Sequence, residues 1–339
     1  MIMKRINRFF IAVFMLFSAS FGLKAQVDLD AFLEAGVADA NKLLEGYLQP
    51  AFEGFGYGLA SGWYNTAKPH NLLGFDLSVT VSAARVPTGA EFFTFRNSDY
   101  TNVRYDGGAS VDIPTMFGPN LGADDLPQLT FLDPDTGEEV VRISAPTGLG
   151  IEEDFMPFNA VPVPMAQIGI GLPKGFELKV RYVPEQTFED DGNVKLFGLG
   201  LMHDIKQWLP GEKLLPIDLS VFLGFTNLTS QVYIDKDLDQ YGEFEANSYV
   251  FQAVASKKFL FVTAFAGLGY SNYDIGFNML GDYTTETRTF TDPISLKYKK
   301  NGVRANVGLR LKLLFLTLTG EYAFQEYNTM SVGVGFSFR

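Results

Sequence analysis

Residues 329–339 read T-M-S-V-G-V-G-F-S-F-R, with Met330, Val332, Val334, Phe336 and Phe338 on one face and Ser331, Gly333, Gly335 and Ser337 on the other. Strict alternation of this kind places apolar side chains on one side of a strand and small or polar ones on the other. It ends the chain and sets the sequence's main constraint: the apolar face needs a partner along its whole length.

The pattern recurs. Residues 74–84 alternate Phe75, Leu77, Val79, Val81 and Ala83 with Asp76, Ser78, Thr80 and Ser82. Residues 176–183, 217–226 and 303–313 follow the same rule, the last placing Arg304, Asn306, Gly308, Arg310 and Lys312 opposite six aliphatic residues. A soluble sandwich also alternates, but its strands are usually about five or six residues long. Runs of about ten suit tilted strands that cross a bilayer. The expected fold is all-β: an antiparallel transmembrane β-barrel with an N-terminal amphipathic helix.

Residues 1–25 have the layout of a secretory signal, with Lys4, Arg5 and Arg8 ahead of the apolar run Phe9–Phe17 and Ala25 at a cleavage position. Thirty-two Phe, fifteen Tyr and thirty-four Gly occur without a long apolar run after the signal, as expected where only alternate residues meet lipid. There is no cysteine, which excludes disulfides and thiolate metal sites. The net charge is −12 and becomes about −16 without the signal, which disfavours a nucleic-acid partner. No cofactor is expected.

Residues 26–70 form a separate N-terminal unit, and 71–339 the barrel with its acidic outer loops. Spacings of three and four across Phe32, Leu33, Leu44 and Tyr47 predict an amphipathic helix over 28–48, capped by Asp28 or Asp30 and stopped by Pro50. The following run 52–64 contains Gly54, Gly56, Gly58 and Gly62, which argue against regular structure before Trp63. The apolar helix face must bury, with Phe32, Leu33, Leu44, Tyr47 and Trp63 as candidate plug residues, either as a plug in the lumen or as a cap at the periplasmic rim.

With the last strand ending in the periplasm, inner turns fall at 172–175, 206–214, 256–259 and 312–315. Outer connections fall at 185–192, 229–246, 273–301 and 325–328, with 285–299 an extension above the membrane. Ten strands are readable, and a pair from 85–162, around the turn D-P-D-T-G, makes twelve the expected count within a range of 10–14.

Glu177, Lys179, Arg181, Arg304, Arg310, Lys312 and Glu321 lie on lumen-facing positions, because a charge facing mid-bilayer lipid costs about 2–4 kcal/mol. They either line a pore or pair with one another and with the plug. Phe336 and Phe338 are the candidate assembly signal, although Arg339 follows them. Trp63, Trp208, Tyr182, Tyr270 and Tyr322 fit interface girdles. The two histidines, His70 and His203, supply the general base an enzyme would need, but His203 and Asp204 point to opposite faces of a strand. No enzyme and no metal site are expected, and the carboxylates Asp133, Asp135 and Glu138 read as a solvated turn.

The runs S-G-W-Y-N-T-A-K-P-H-N-L-L-G-F-D-L (61–77), H-D-I-K-Q-W-L-P (203–210) and F-Q-E-Y-N-T-M-S-V-G-V-G-F-S-F-R (324–339) resemble an uncharacterised family of Gram-negative outer-membrane β-barrel proteins. The resemblance implies fold and location, not an activity. The layout of hatch, Gly-rich connection and barrel is also similar to the long-chain fatty-acid and aromatic-hydrocarbon transporters. The expected function is a passive outer-membrane channel or transporter for small, possibly hydrophobic, molecules. The alternative is a structural or docking barrel with a closed lumen and partner-binding outer loops. Expected partners are outer-membrane lipids, the barrel assembly machinery and a small hydrophobic ligand.

Overall fold

The computed structural model describes residues 33–34, 36–151, 158–188, 192–210, 215–285 and 288–338. The expected signal at 1–25, the helix caps Asp28 and Asp30, Phe32 and Arg339 lie outside these. Ten antiparallel strands close a barrel: β1 (Phe75–Arg85), β2 (Ala160–Leu172), β3 (Phe176–Phe188), β4 (Gly192–Asp204), β5 (Asp218–Asp235), β6 (Gln240–Phe259), β7 (Val262–Leu280), β8 (Ile294–Leu313), β9 (Leu316–Phe324) and β10 (Thr329–Phe338). Each strand pairs with its sequence neighbours, and β1 closes the ring on β10 in register from Phe75↔Phe338 to Ala84↔Thr329.

The count is ten, not twelve. The ten readable strands are those of the barrel, and the described residues of 86–159 add none. That segment forms two small sheets at one end, Phe92–Arg96 with Ser110–Pro114, and Val103–Tyr105 with Gln128–Leu132 and Glu139–Ser144. Phe95, Val103, Ile113, Leu129 and Phe131 give them a core of their own. D-P-D-T-G turns the last hairpin as expected, and Asp133 Oδ1 accepts the backbone N–H groups of Asp135 and Thr136. Those N–H groups hold the Asp133 carboxyl below the usual carboxylate range.

Strand β8 marks the membrane edge. Ile294, Leu296 and Tyr298 are buried inward while Ser295, Lys297 and Lys299 face out; further along, Arg304, Asn306 and Arg310 are inward and Val303, Val307, Leu309 and Leu311 face out. The register against β7 is unbroken from Ile294 to Leu311, so the geometry is constant and the chemistry inverts. Above the inversion the strand stands in water with an apolar interior. Below it, the interior is polar and the exterior meets lipid. Tyr249 and Tyr270 lie on neighbouring strands at the same height, where aromatic rings with a polar tip are favoured. Residues 285–299 thus belong to an extension, and 229–246 is not an open loop: β5 and β6 continue to Asp235 and from Gln240.

The opposite end carries the short connections at 173–175, 205–217, 260–261 and 314–315. By the rule that short turns of such barrels are periplasmic, this end corresponds to the expected periplasmic one. The turn expected at 256–259 falls instead at Leu260 and Phe261. Leu73, Leu260 and Leu314 adopt φ of 62°, 52° and 56°, a left-handed conformation that costs a non-glycine residue about 1–3 kcal/mol.

Helix α1 spans Val37–Leu59 and ends later than the expected 48; Leu33 and Glu34, ahead of Gly36, are also helical, and the expected start at 28 lies outside the described residues. Pro50 lies inside it and does not stop it. The run after Pro50 stays helical because tertiary packing overrides local propensity: Ala51, Phe52, Phe55, Tyr57 and Leu59 are all buried. The glycines permit close approach. A Cβ at Gly56 would lie 2.6 Å from the Tyr273 ring, and Cβ atoms at Gly54 and Gly58 would lie 2.5 Å from Val161 and Val163. Gly56→Ala provides a sign test. Propensity alone would stabilise the helix by about 1 kcal/mol, whereas overpacking against Tyr273 costs about 1–3 kcal/mol. We expect a net loss, read as a lower unfolding temperature in detergent.

Candidate functional site

The helix enters from the outer end. Asp39 in its first turn accepts the N–H groups of Thr101, Asn102 and Val103, and Asn41 bonds the backbone of Pro293 and Ser295. In its second half Phe52 packs on Phe244 and Tyr298 and Tyr57 on Tyr273 and Tyr327, and Lys300 Nζ lies 3.3 Å from Glu53. The chain then continues through the barrel to Pro69 and His70, beside the start of β1. It does not lie across the periplasmic rim.

Below the helix, large and absent side chains exchange sides. Trp63 is 2% exposed and lies against Phe222, where Cβ atoms at wall residues Gly200 and Gly224 would each come within 2.9 Å of its ring. Tyr64 fills the space that Gly267 leaves and bonds Gln252 and Asn306. Trp63 is therefore a lumen residue and not part of an interface girdle. A void of about 20 Å³ remains, bordered by Trp63, Tyr64, Gln167, Thr317 and Glu321, room for roughly one water molecule. The larger concavity, about 500 Å³ and lined by Leu199, Leu201, Leu223, Tyr249 and Phe251, is on the outside of the wall.

Two arginines clamp the thread where the helix ends. Arg181 donates to the carbonyls of Leu59 (2.7 Å) and Ser61 (2.6 Å) and to Gln167, with its guanidinium 3.6 Å from the Trp63 ring centroid. The carbonyls freed at a helix end accept a fixed cation. Arg304 pairs with Glu321 at 2.7 Å and donates to Ser61 Oγ at 2.9 Å.

At the periplasmic end, Glu177 Oε2 accepts the His70 backbone N–H (2.7 Å) and faces His70 Nδ1 (2.9 Å). Ser337 Oγ lies 3.1 Å from His70 Nε2 and accepts from Arg310 and Lys312. Because both cations only donate, the serine proton goes to Nε2, and Nδ1 carries the proton given to Glu177. A Ser–His–Glu arrangement is thus present. Its serine is buried, however, and both oxygen lone pairs are engaged, which makes it a fastening. His70, Asp76 and Glu177 also form a ligand-like group, but Lys179 Nζ stands 2.5 Å from Glu177 and 3.7 Å from Asp76. The ammonium supplies the positive charge that a metal would bring.

All seven expected lumen charges face inward, and all but the half-buried Lys312 are buried. They meet in two groups, Arg181–Arg304–Glu321 and Glu177–Lys179–Arg310–Lys312. Leu33 is buried, while Leu44 and Tyr47 are half-buried beside it. Phe336 and Phe338 face out, the latter stacked on Phe75 and Phe315. His203 accepts from Trp208 at the periplasmic end, away from the lumen cluster. The sequence places Asp76 and Ser337 on the polar faces of their strands without assigning them a role, and nothing local singles out Gln167.

Among the described residues, the seam between β2 and β3 is incomplete although both strands continue past it. Strands β2 and β3 pair only from Gln167↔Arg181 to Leu172↔Phe176. Val86 N–H donates to Asn159 and Gly171 N–H to Gly74, so odd residues of β2 address β1 and even ones address β3. Pro162 and Pro164 are even, and proline has no N–H to give. The ladder of β3 against β4 shifts register between Val183 and Gln186, around Pro184. Pro164 is buried, so the break is covered in this state. Behind it lie the apolar residues Leu59, Val163, Met165 and Leu196.

Arg181→Met strands the carbonyls of Leu59 and Ser61. With about 1.5–3 kcal/mol for each charged hydrogen bond, we expect hydrogen exchange across 59–70 to accelerate at least tenfold while the β-ladder stays protected.

Among solved structures, the chain is similar to the attachment invasion locus protein Ail of Yersinia pestis (10% identity, TM-score 0.27, covering 79% of this chain and 98% of that one). It is also similar to the translocator domain of the autotransporter NalP from Neisseria meningitidis (10%, 0.28, 80% and 90%). A third is the Pseudomonas putida toluene transporter TodX (9%, 0.23, 84% and 98%). A search of curated proteins finds no relative. A family model matches residues 3–338, nearly the full length, and the chain belongs to that family, DUF6588, a family of unknown function.

Proposed function

We propose that this is an outer-membrane barrel that passes small apolar molecules without catalysing a reaction, with residues 51–70 as its stopper. The observation that carries the reading is the β2–β3 break, which lies beside the apolar half of the lumen. Straight passage along the axis is blocked by the clamps on Ser61 and His70. A solute that enters the apolar half has a shorter way out through the unpaired seam. Pro162 and Pro164 keep that seam from zipping shut. A solute of the aromatic-hydrocarbon class suits the apolar residues behind the seam. Export by the N-terminal signal and recognition of Phe338 by assembly machinery belong to the same reading.

The second reading, a structural or docking barrel with a closed lumen, is favoured by the buried Arg304–Glu321 pair and the Glu177 cluster, which fill the periplasmic half. The absence of cysteine gives a clean test. In Ala166→Cys/Tyr182→Cys, at the first positions beyond the ladder, a bifunctional thiol reagent bridges the seam. We expect uptake of toluene into proteoliposomes to fall at least fivefold on bridging and to recover with a cleavable linker. Uptake that ignores the bridge rejects the seam route. No uptake by the wild-type protein favours the closed barrel.

A further inference from the structure

The periplasmic turns break two rules at once. Leu73, Leu260 and Leu314 hold positive φ, where glycine or asparagine is the usual choice. They are also 77%, 88% and 89% exposed, where a leucine gains nothing from water. Three separate turns repeat the combination, and Phe259, Phe261, Leu313 and Phe315 flank two of them with exposed apolar faces. Such residues at such angles make sense only if the tips are not in water.

We propose that the periplasmic rim is an anchor that binds anionic phospholipid of the inner leaflet, with the leucine tips sunk to the acyl boundary and lysines on the headgroups. Two observations select lipid. The first is continuity: Leu309, Leu311 and Leu313 face outward on β8 and run into Leu314 and Phe315, against which Phe336 and Phe338 stack. The lipid-facing band therefore reaches the tips without a polar break. The second is charge. Lys174, Lys257 and Lys258 stand at this end, while Asp204 caps the backbone N–H of Lys206. Acids gather at the other end, among them Asp124, Asp125, Asp133, Asp135, Asp235 and Asp237. Lysines beside an apolar edge suit a negatively charged headgroup, and exposed Trp208 adds an interfacial anchor on the turn at 205–217.

The test uses the full chain in vesicles of phosphatidylcholine with or without phosphatidylglycerol. A fluorophore on Leu260→Cys or Leu314→Cys should be quenched by lipid brominated near the headgroup end of its chains, at least twofold more strongly with phosphatidylglycerol present. In parallel, native mass spectrometry should find phosphatidylglycerol retained by the wild-type barrel. The variant Leu260→Asn/Leu314→Asn/Lys257→Ala/Lys258→Ala should retain at least threefold less. Asparagine relieves the turn strain, so folding, read by heat-modified gel migration, should persist. Probes that report water in both vesicles, or equal retention by both proteins, overturn the proposal. Water-exposed probes that crosslink to a periplasmic protein in cells overturn it in favour of a protein partner.

Discussion

Everything inside this barrel depends on how little room ten strands leave. The ring must hold a 23-residue helix in one half and an extended thread in the other, and it does so by matching absent side chains to large ones. Helix glycines meet Val161, Val163 and Tyr273, and wall glycines meet Trp63 and Tyr64. Close packing of this kind tolerates neither voids nor added methyl groups. With no cysteine to fasten the thread, charged donors do so: Arg181 on the carbonyls at the helix end, and Arg304 and Glu177 on either side of the polar stretch.

The interior has two chemistries. The outer half resembles a soluble protein core turned inward, with Phe52, Phe55, Tyr298 and Tyr327 around the helix. The periplasmic half is a polar network built on the Arg304–Glu321 and Lys179–Glu177 pairs and on Ser337, which accepts from Arg310 and Lys312. The division follows the bilayer: where the outside is lipid, the polar groups of each strand go inward, and where the outside is water they need not.

The barrel strands were legible because alternation is a local signal that a bilayer enforces along ten residues. Inward placement of Arg304, Glu321 and Lys179 followed from the same parity. What escaped depended on distant contacts. Pro50 and the glycines after it obey local rules that favour a break, and only the wall at Val161 and Tyr273 shows why the helix persists. The short strands of 86–159 alternate like spanning ones, but their apolar faces close on Phe95, Ile113 and Leu129 instead of lipid. Nothing local marks Pro162 and Pro164 as the edge of a seam, because which neighbour a missing N–H would have faced is known only once β1 is paired.

The entry of α1 from the outer end gives the molecule the topology of a needle threaded through its own eye. The thread starts among the outer sheets, runs the length of the lumen and turns at His70 straight into β1, the strand that closes the ring with β10. A finished cylinder would have to admit the N-terminal end lengthwise, past Arg181 and Arg304. Wrapping the sheet around a segment already in place needs no such passage. The closing hydrogen bonds between β1 and β10 therefore act as the last stitch, and the order of assembly is written into the direction of the helix.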